Sequence, residues 1–162
     1  MTNNKQQPEA GGQRKTILFF ASNAGLGYAP IAPGTFGTLA GIPAFYYLSC
    51  FPWPLQLLTL VAVIAVSFFL CDRAGTLYAE ADDSRIVFDE LAGYLVTTAF
   101  LPFTWGTALL AFIWFRIFDI LKPPPIGWVD REMDNGLGVT LDDLIAGVYA
   151  AILLRLCLAL FA

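Results

Sequence analysis

The sequence predicts an all-α fold, a multi-pass transmembrane bundle of about five hydrophobic helices. Composition is the first observation behind this. Apolar residues make up 57% of the 162 positions and charged residues only 14%, against about 25% charged in a soluble domain. The charges also cluster, leaving apolar runs of near-spanning length between them. Finally, the connections alternate in character, short and aromatic on one side, long and charged on the other.

Residues 1–15 are polar and read as a disordered tail. Residues 16–162 read as one membrane-embedded helical domain. The run Ile17-Leu18-Phe19-Phe20-Ala21 is too short to span and is not followed by a small-residue cleavage site, so a removed signal peptide is not expected. Candidate spans follow at 35–51, 55–71, 86–101, 105–121 and 141–161. Most hold about 17 residues, roughly 25 Å of helix, short for a bilayer. Pro33-Gly34-Thr35 supplies a start for the first span, and Pro52 and Pro54 end it. Pro123-Pro124-Pro125 must stop the fourth, because a residue before proline avoids the helical region. Thr140 stands where an N-cap for the fifth is expected.

The connections set sidedness. Phe51-Pro52-Trp53-Pro54 and Leu101-Pro102-Phe103-Thr104 read as tight interfacial turns with aromatic anchors. The connections 72–85 and 122–140 are charged. With five spans, both charged loops and the tail share one side, carrying Lys5, Arg14, Lys15, Arg73, Arg85, Lys122 and Arg131. The positive-inside rule makes that side the cytoplasm.

Acids gather on the same side. Asp72 follows the second span, Asp89 and Glu90 open the third, Asp119 closes the fourth, and Asp142 and Asp143 open the fifth. Carboxylates at a membrane edge are costly and mark function by default. A helix dipole favours one acid at an N-terminus by about 0.3–1 kcal/mol. It does not account for adjacent pairs on two helices, nor for Asp119 at a helix C-terminus. Several acids at one depth repel unless a cation sits among them. Hard carboxylate ligands without histidine favour magnesium over zinc. The third and fifth helices open alike, an acid pair followed about a turn later by small residues (Ala92-Gly93, Ala146-Gly147), which allow close helix approach.

Two further features suit phosphate. Arg116, Asp119 and Lys122 recur every three residues and share a rough helix face, so Asp119 can ligate metal while the two cations hold an anion. An internal ion pair is the plainer account of the same spacing. The stretch from Gly25 to Thr38 is rich in glycine and hydroxyls, and Gly34, Thr35, Gly37 and Thr38 at a helix start can present free amides to a phosphate. Gly37 and Gly41 serve helix packing equally well. No Walker lysine is present, so a nucleotide loop is not expected.

Absences narrow the chemistry. The chain has no histidine, which excludes phosphohistidine phosphatases and serine–histidine hydrolases. Cys50, Cys71 and Cys157 lie in or beside apolar runs and read as buried hydrophobes, not as a disulfide framework. A net charge of −4 offers no basic face for nucleic acid. Phosphate chemistry is left with carboxylate plus metal. A membrane cation-binding or transport protein, with the acids as an ion pathway, is the alternative from another class.

Taken together the motifs resemble the phosphatidylglycerophosphatase A family. The carriers are Ala32-Pro33-Gly34-Thr35-Phe36-Gly37-Thr38, Ile86-Val87-Phe88-Asp89-Glu90 with Gly93, Phe115-Arg116-Ile117-Phe118-Asp119-Ile120-Leu121-Lys122-Pro123, and Gly136-Leu137-Gly138 running into Asp142-Asp143 and Ala146-Gly147. Asp82 matches a further acidic position. Pro124 and Asn135 depart from the pattern, which bears on loop shape. The resemblance implies a magnesium-dependent, multi-pass inner-membrane phosphatase that removes the terminal phosphate of phosphatidylglycerophosphate, leaving phosphatidylglycerol; the positive-inside rule puts its acids on the cytoplasmic side.

The expected site has Asp89, Glu90, Asp119, Asp142 and Asp143 as metal ligands. Arg116, Lys122 and the Gly34–Thr38 amides bind non-transferring phosphate oxygens. Both a water nucleophile and an aspartyl route through Asp89 or Asp142 stay open. The sequence leaves the oligomeric state unknown.

Overall fold

The computed structural model describes residues 11–133 and 135–161, and among them it is all-helical. The order is α1 (Gly11–Ala21), a 3-10 turn (Leu26–Tyr28), α2 (Pro33–Ser49), α3 (Trp53–Tyr78), α4 (Phe88–Thr98), α5 (Trp105–Leu121), α6 (Ile126–Glu132) and α7 (Gly136–Phe161). Every expected span has a helix, and several of the expected starts and stops hold, though Pro54 lies in the first turn of α3 rather than at the end of α2. Pro33 occupies the first turn of α2. Thr104 caps α5, its hydroxyl accepting the Thr107 N–H at 3.0 Å. Lys122 ends α5 in a left-handed conformation just ahead of the prolines.

α4 is the inner element. It packs against α2, α3, α5 and α7, and its Ala92, Gly93, Tyr94, Leu95, Thr97 and Thr98 are buried. At 11 residues it is about 17 Å long. The expected third span is therefore a short strut enclosed by protein, not a lipid-facing crossing. Glycines set how near its neighbours come. A Cβ on Gly41 of α2 would lie 2.4 Å from the Tyr94 ring. The main core joins Phe45 and Leu48 of α2, Tyr94 and Leu95 of α4, Phe115 of α5 and Leu154 of α7.

Among the described residues, α3 and α7 are the two helices long and apolar enough to cross a membrane, by length and composition. α2 and α5, 17 residues each, reach about 26 Å. Leu58 and Phe69 of α3, Leu109 and Ile113 of α5, and Ile152 and Leu156 of α7 are exposed. An apolar outer surface over a packed core is the pattern of a helix bundle solvated by lipid.

Boundaries differ from expectation at several places. α3 continues from Cys71 to Tyr78 because Cys71 and Ala74 are buried against Ile17, Ala21 and Ile86, while Asp72 and Arg73 point outward. A charge on the exposed face does not stop a helix. α7 starts at Gly136 rather than near Leu141, capped by Asn135, whose Oδ1 accepts the Leu137 and Gly138 N–H groups at 3.1 and 3.0 Å. Thr140 is thus no cap but a buried helical residue 3.3 Å from Ser67 Oγ. Asp142 and Asp143 stand in the second turn of α7, where the dipole gives them little. The loop 122–140 contains α6. Within the tail expected to be disordered, residues 1–10 lie outside the described residues and Gly11–Lys15 are helical, as part of α1.

Arg155 lies in the second half of α7, apart from the other cations. Its guanidinium donates to the carbonyls of Ala99 at 2.6 Å, Ala151 at 3.0 Å and Thr97 at 3.4 Å. It caps the C-terminus of α4, where a cation is favoured by both the open carbonyls and the dipole.

Candidate active site

The crossing of α4 and α7 brings the two acid pairs together. A Cβ on Gly93 would lie 2.7 Å from the Asp143 carbonyl oxygen, and one on Gly147 would lie 2.4 Å from that of Gly93. One turn away, carboxylate oxygens of Asp89, Glu90 and Asp143 lie within 4.8 Å of one another. Asp89 and Asp143 are buried. Within each pair the leading acid accepts the next backbone N–H, Asp89 Oδ1 from Glu90 at 3.1 Å and Asp142 Oδ1 from Asp143 at 2.9 Å. Gly34 makes room for the third member: a Cβ there would lie 2.3 Å from Glu90 Oε1.

Glu90 Oε2 is buried and has no hydrogen-bond partner among the described residues. A buried carboxylate oxygen is costly without a partner, and two more carboxylates close by raise the cost. A cation ligated by the three acids removes both penalties. The donors are all hard oxygens, so magnesium fits them by ligand type.

Two cations lie beside the acids. Arg116 Nη1 lies 2.6 Å from Asp119 Oδ2 and 3.5 Å from Thr38 Oγ1, and its Nε is buried without a partner among the described residues. Lys122 Nζ donates to Asp142 Oδ2 at 2.7 Å and also bonds Asp130. Burial works against the Lys122 ammonium, but these two carboxylates outweigh it and hold its pKa above the usual lysine value. Acids and cations together line a cavity of about 230 Å³, which Ala32, Pro33, Gly34, Asp82, Ser84, Ile86 and Val139 also line. The N-terminus of α2 opens onto it, and the positive end of its dipole suits an anion there.

The expected metal ligands divide. Asp89, Glu90 and Asp143 converge. Asp119 and Asp142 line the same cavity but are engaged by Arg116 and Lys122. The glycine-rich stretch divides as well. Gly34 lines the cavity; the Thr35 N–H closes a turn onto the Ala32 carbonyl at 2.9 Å. Gly37 packs on α4, since a Cβ there would lie 2.7 Å from Val87, and Thr38 supports Arg116 while donating to the Gly34 carbonyl at 2.9 Å. Sequence reasoning missed Asp130 and Ser84. Asp130 lies on α6, too short a helix to announce itself by periodicity, and Ser84 lies in an irregular segment whose path only the packing reveals. Asp72 is exposed and lines a different hollow, against Gly136.

The fold and the site define a membrane-associated helical protein with a carboxylate cluster in a cavity that Arg116 and Lys122 also line. The chain belongs to the phosphatidylglycerophosphatase A family, whose model matches residues 19–158. It is 39% identical to phosphatidylglycerophosphatase A of Escherichia coli strain K12 over 78% of this chain and 74% of that protein. It is 36% identical to phosphatidylglycerophosphatase A of Haemophilus influenzae over 84% and 85%. A Bacteroides thetaiotaomicron protein, named as a candidate phosphatidylinositol-3-phosphatase, is 37% identical over 85% and 90%. No solved structure matches the chain.

Proposed function

We propose that this chain removes the terminal phosphate of phosphatidylglycerophosphate, leaving phosphatidylglycerol, at the cytoplasmic face of the inner membrane. The observation that carries this reading is the single cavity in which three converging carboxylates face Arg116, Lys122 and a helix N-terminus. Family membership and the two relatives of that name support the substrate. Asp89, Glu90 and Asp143 would hold magnesium, which supplies charge neutralisation and polarisation of the phosphoryl group when bound.

The remaining groups have roles that follow from their contacts. Arg116 is aimed by Asp119 and Thr38 and presents its guanidinium to the non-transferring oxygens. Lys122 holds charge close to the cavity while tethered by Asp130 and Asp142. Asp142 is the acid that touches Lys122 rather than the cluster, so it is placed to exchange a proton with it or with an attacking water. A carboxylate of the cluster acting as nucleophile fits the same geometry. The orientation rests on the cations at this end of the bundle and the aromatic turns at the other.

The test is phosphate release from phosphatidylglycerophosphate by purified protein in detergent with magnesium. Phosphatidylinositol 3-phosphate belongs in the same panel because of the Bacteroides relative. Magnesium-dependent release from phosphatidylglycerophosphate is expected. Magnesium binding without release from any lipid phosphomonoester would sink the reading in favour of a cation-binding protein.

A further inference from the structure

The backbone leading into α4 is held by a part of the chain that contributes nothing to the cavity wall. Val87 is the residue at the head of α4, and its side chain has no group with which to cap the helix. Its polar groups are fixed from outside. The Val87 N–H donates to the Ala21 carbonyl at 2.9 Å. The Val87 carbonyl accepts from Asn23 Nδ2 at 2.7 Å. On its other side Val87 meets Gly37 of α2.

The segment before it is clamped as well. A Cβ on Gly27 would lie 2.1 Å from the Arg85 carbonyl oxygen, so the turn after α1 rests directly on Arg85. Arg85 Nε donates to Asp83 Oδ1 at 2.7 Å, which holds the Asp83 carboxyl below its ordinary pKa. The Arg85 guanidinium lies 3.8 Å from the centre of the Tyr78 ring, and the Tyr78 and Tyr28 hydroxyls are 2.7 Å apart. Asn23 itself has a φ of 47° and is followed by Ala24 at 57° and Gly25 at 96°. Asparagine tolerates this left-handed region better than most residues. A run of such conformations persists where surrounding contacts hold it.

We propose that Asn23 is a positioning residue for the acid cluster: through the Val87 carbonyl, its amide fixes where Asp89 and Glu90 stand against Asp143. Asp89 is two residues beyond Val87, and its bond to the Glu90 N–H makes the first turn of α4 a unit. Any shift of Val87 is therefore passed to both acids and opens a cluster whose oxygens lie within 4.8 Å. Removing a group that hydrogen-bonds a metal ligand directly typically costs about 10–100-fold in affinity, and Asn23 acts one step further out, so the lower end of that range is expected.

The inference rests on the cation reading of the cluster, and the experiment separates the two. Manganese serves as the probe, its binding to the full chain in detergent followed by the loss of the free-ion paramagnetic resonance signal. The variants are Asn23→Gly, which accepts the left-handed backbone without steric cost, and Asn23→Asp, which keeps the shape but has no donor for the Val87 carbonyl. Melting of the metal-free proteins is recorded alongside. Both variants are expected to bind manganese about tenfold or more weakly, with metal-free melting close to that of the parent. Parent-like manganese binding in either variant overturns the role of Asn23. Binding that weakens only in step with lost metal-free stability makes Asn23 merely structural and overturns it too. A parent protein that binds no manganese rejects the cation reading, and this proposal with it.

Discussion

Gly147 of α7 lies against Gly93 of α4 so closely that a Cβ on Gly147 would stand 2.4 Å from the Gly93 carbonyl oxygen. The two acid pairs meet because these two residues have no side chains. Gly147→Ala must push the helices apart or strain them, at a cost of about 1–3 kcal/mol. Activity is expected to fall along with the melting temperature, and added magnesium should recover part of each. Parent-like activity and melting in this variant would contradict the crossing as the element that assembles the site.

The carboxylates should sort into two classes. Asp89→Asn and Asp143→Asn remove charge from the cluster and are expected to lower turnover by about a hundredfold or more, on the proposed metal mechanism. Their metal-free forms should be at least as stable as the parent, since repulsion within the cluster is relieved. Asp142→Asn instead loosens Lys122, so it should weaken manganese affinity far less than Asp143→Asn does. Titrating the ion against all three variants checks the division; equal losses of affinity would erase it.

Metal removal should abolish activity and lower stability together. Excess EDTA is expected to stop phosphate release, magnesium to restore it, and manganese to substitute partly. A ligand at about a hundred times its dissociation constant stabilises by about 2.7 kcal/mol, enough to read in a melting scan. Full turnover in EDTA would remove the metal from the mechanism.

On the phosphate side, Lys122→Ala and Arg116→Ala should raise KM more than they weaken metal binding. Thr38→Ala should have a smaller effect in the same direction, because Thr38 acts through Arg116. Thr35→Ala is expected to be nearly silent, since Thr35 does not line the cavity. Steady-state kinetics across the four variants decide it, and a KM effect at Thr35 as large as at Arg116 would return the phosphate site to the helix start.

Orientation is tested by single cysteines at the exposed positions Glu80, Glu132 and Pro102 in a background without Cys50, Cys71 and Cys157. An impermeant thiol reagent on intact cells should label Pro102 alone. Labelling at Glu80 or Glu132 would turn the acid cluster outward.

The sequence made the principal helices legible because apolar runs and proline stops are one-dimensional signals. It also exposed the acid pairs and the small residues beside them, since both are local patterns. What it could not carry was burial direction. Asp72 and Arg73 suggest the end of a helix, but they lie on an outward face and α3 continues beneath them. α1 and α6 are too short to show a period. Which acids cluster depended on how α4 and α7 cross, which no spacing encodes, whereas the Arg116–Asp119 pair was already open to the i,i+3 spacing. The side rule for basic residues also left out Arg155, whose charge is spent on the end of α4.

The enclosure of α4 bears on how the protein is made. A helix of 11 residues carrying two acids gains little from lipid on its own. Its acids find their third partner, and its far end finds Arg155, only on α7. Among the described helices α7 comes last in chain order, so it is synthesised after α4. Asp89 and Glu90 are therefore made before Asp143, and the cluster cannot close until α7 has been synthesised.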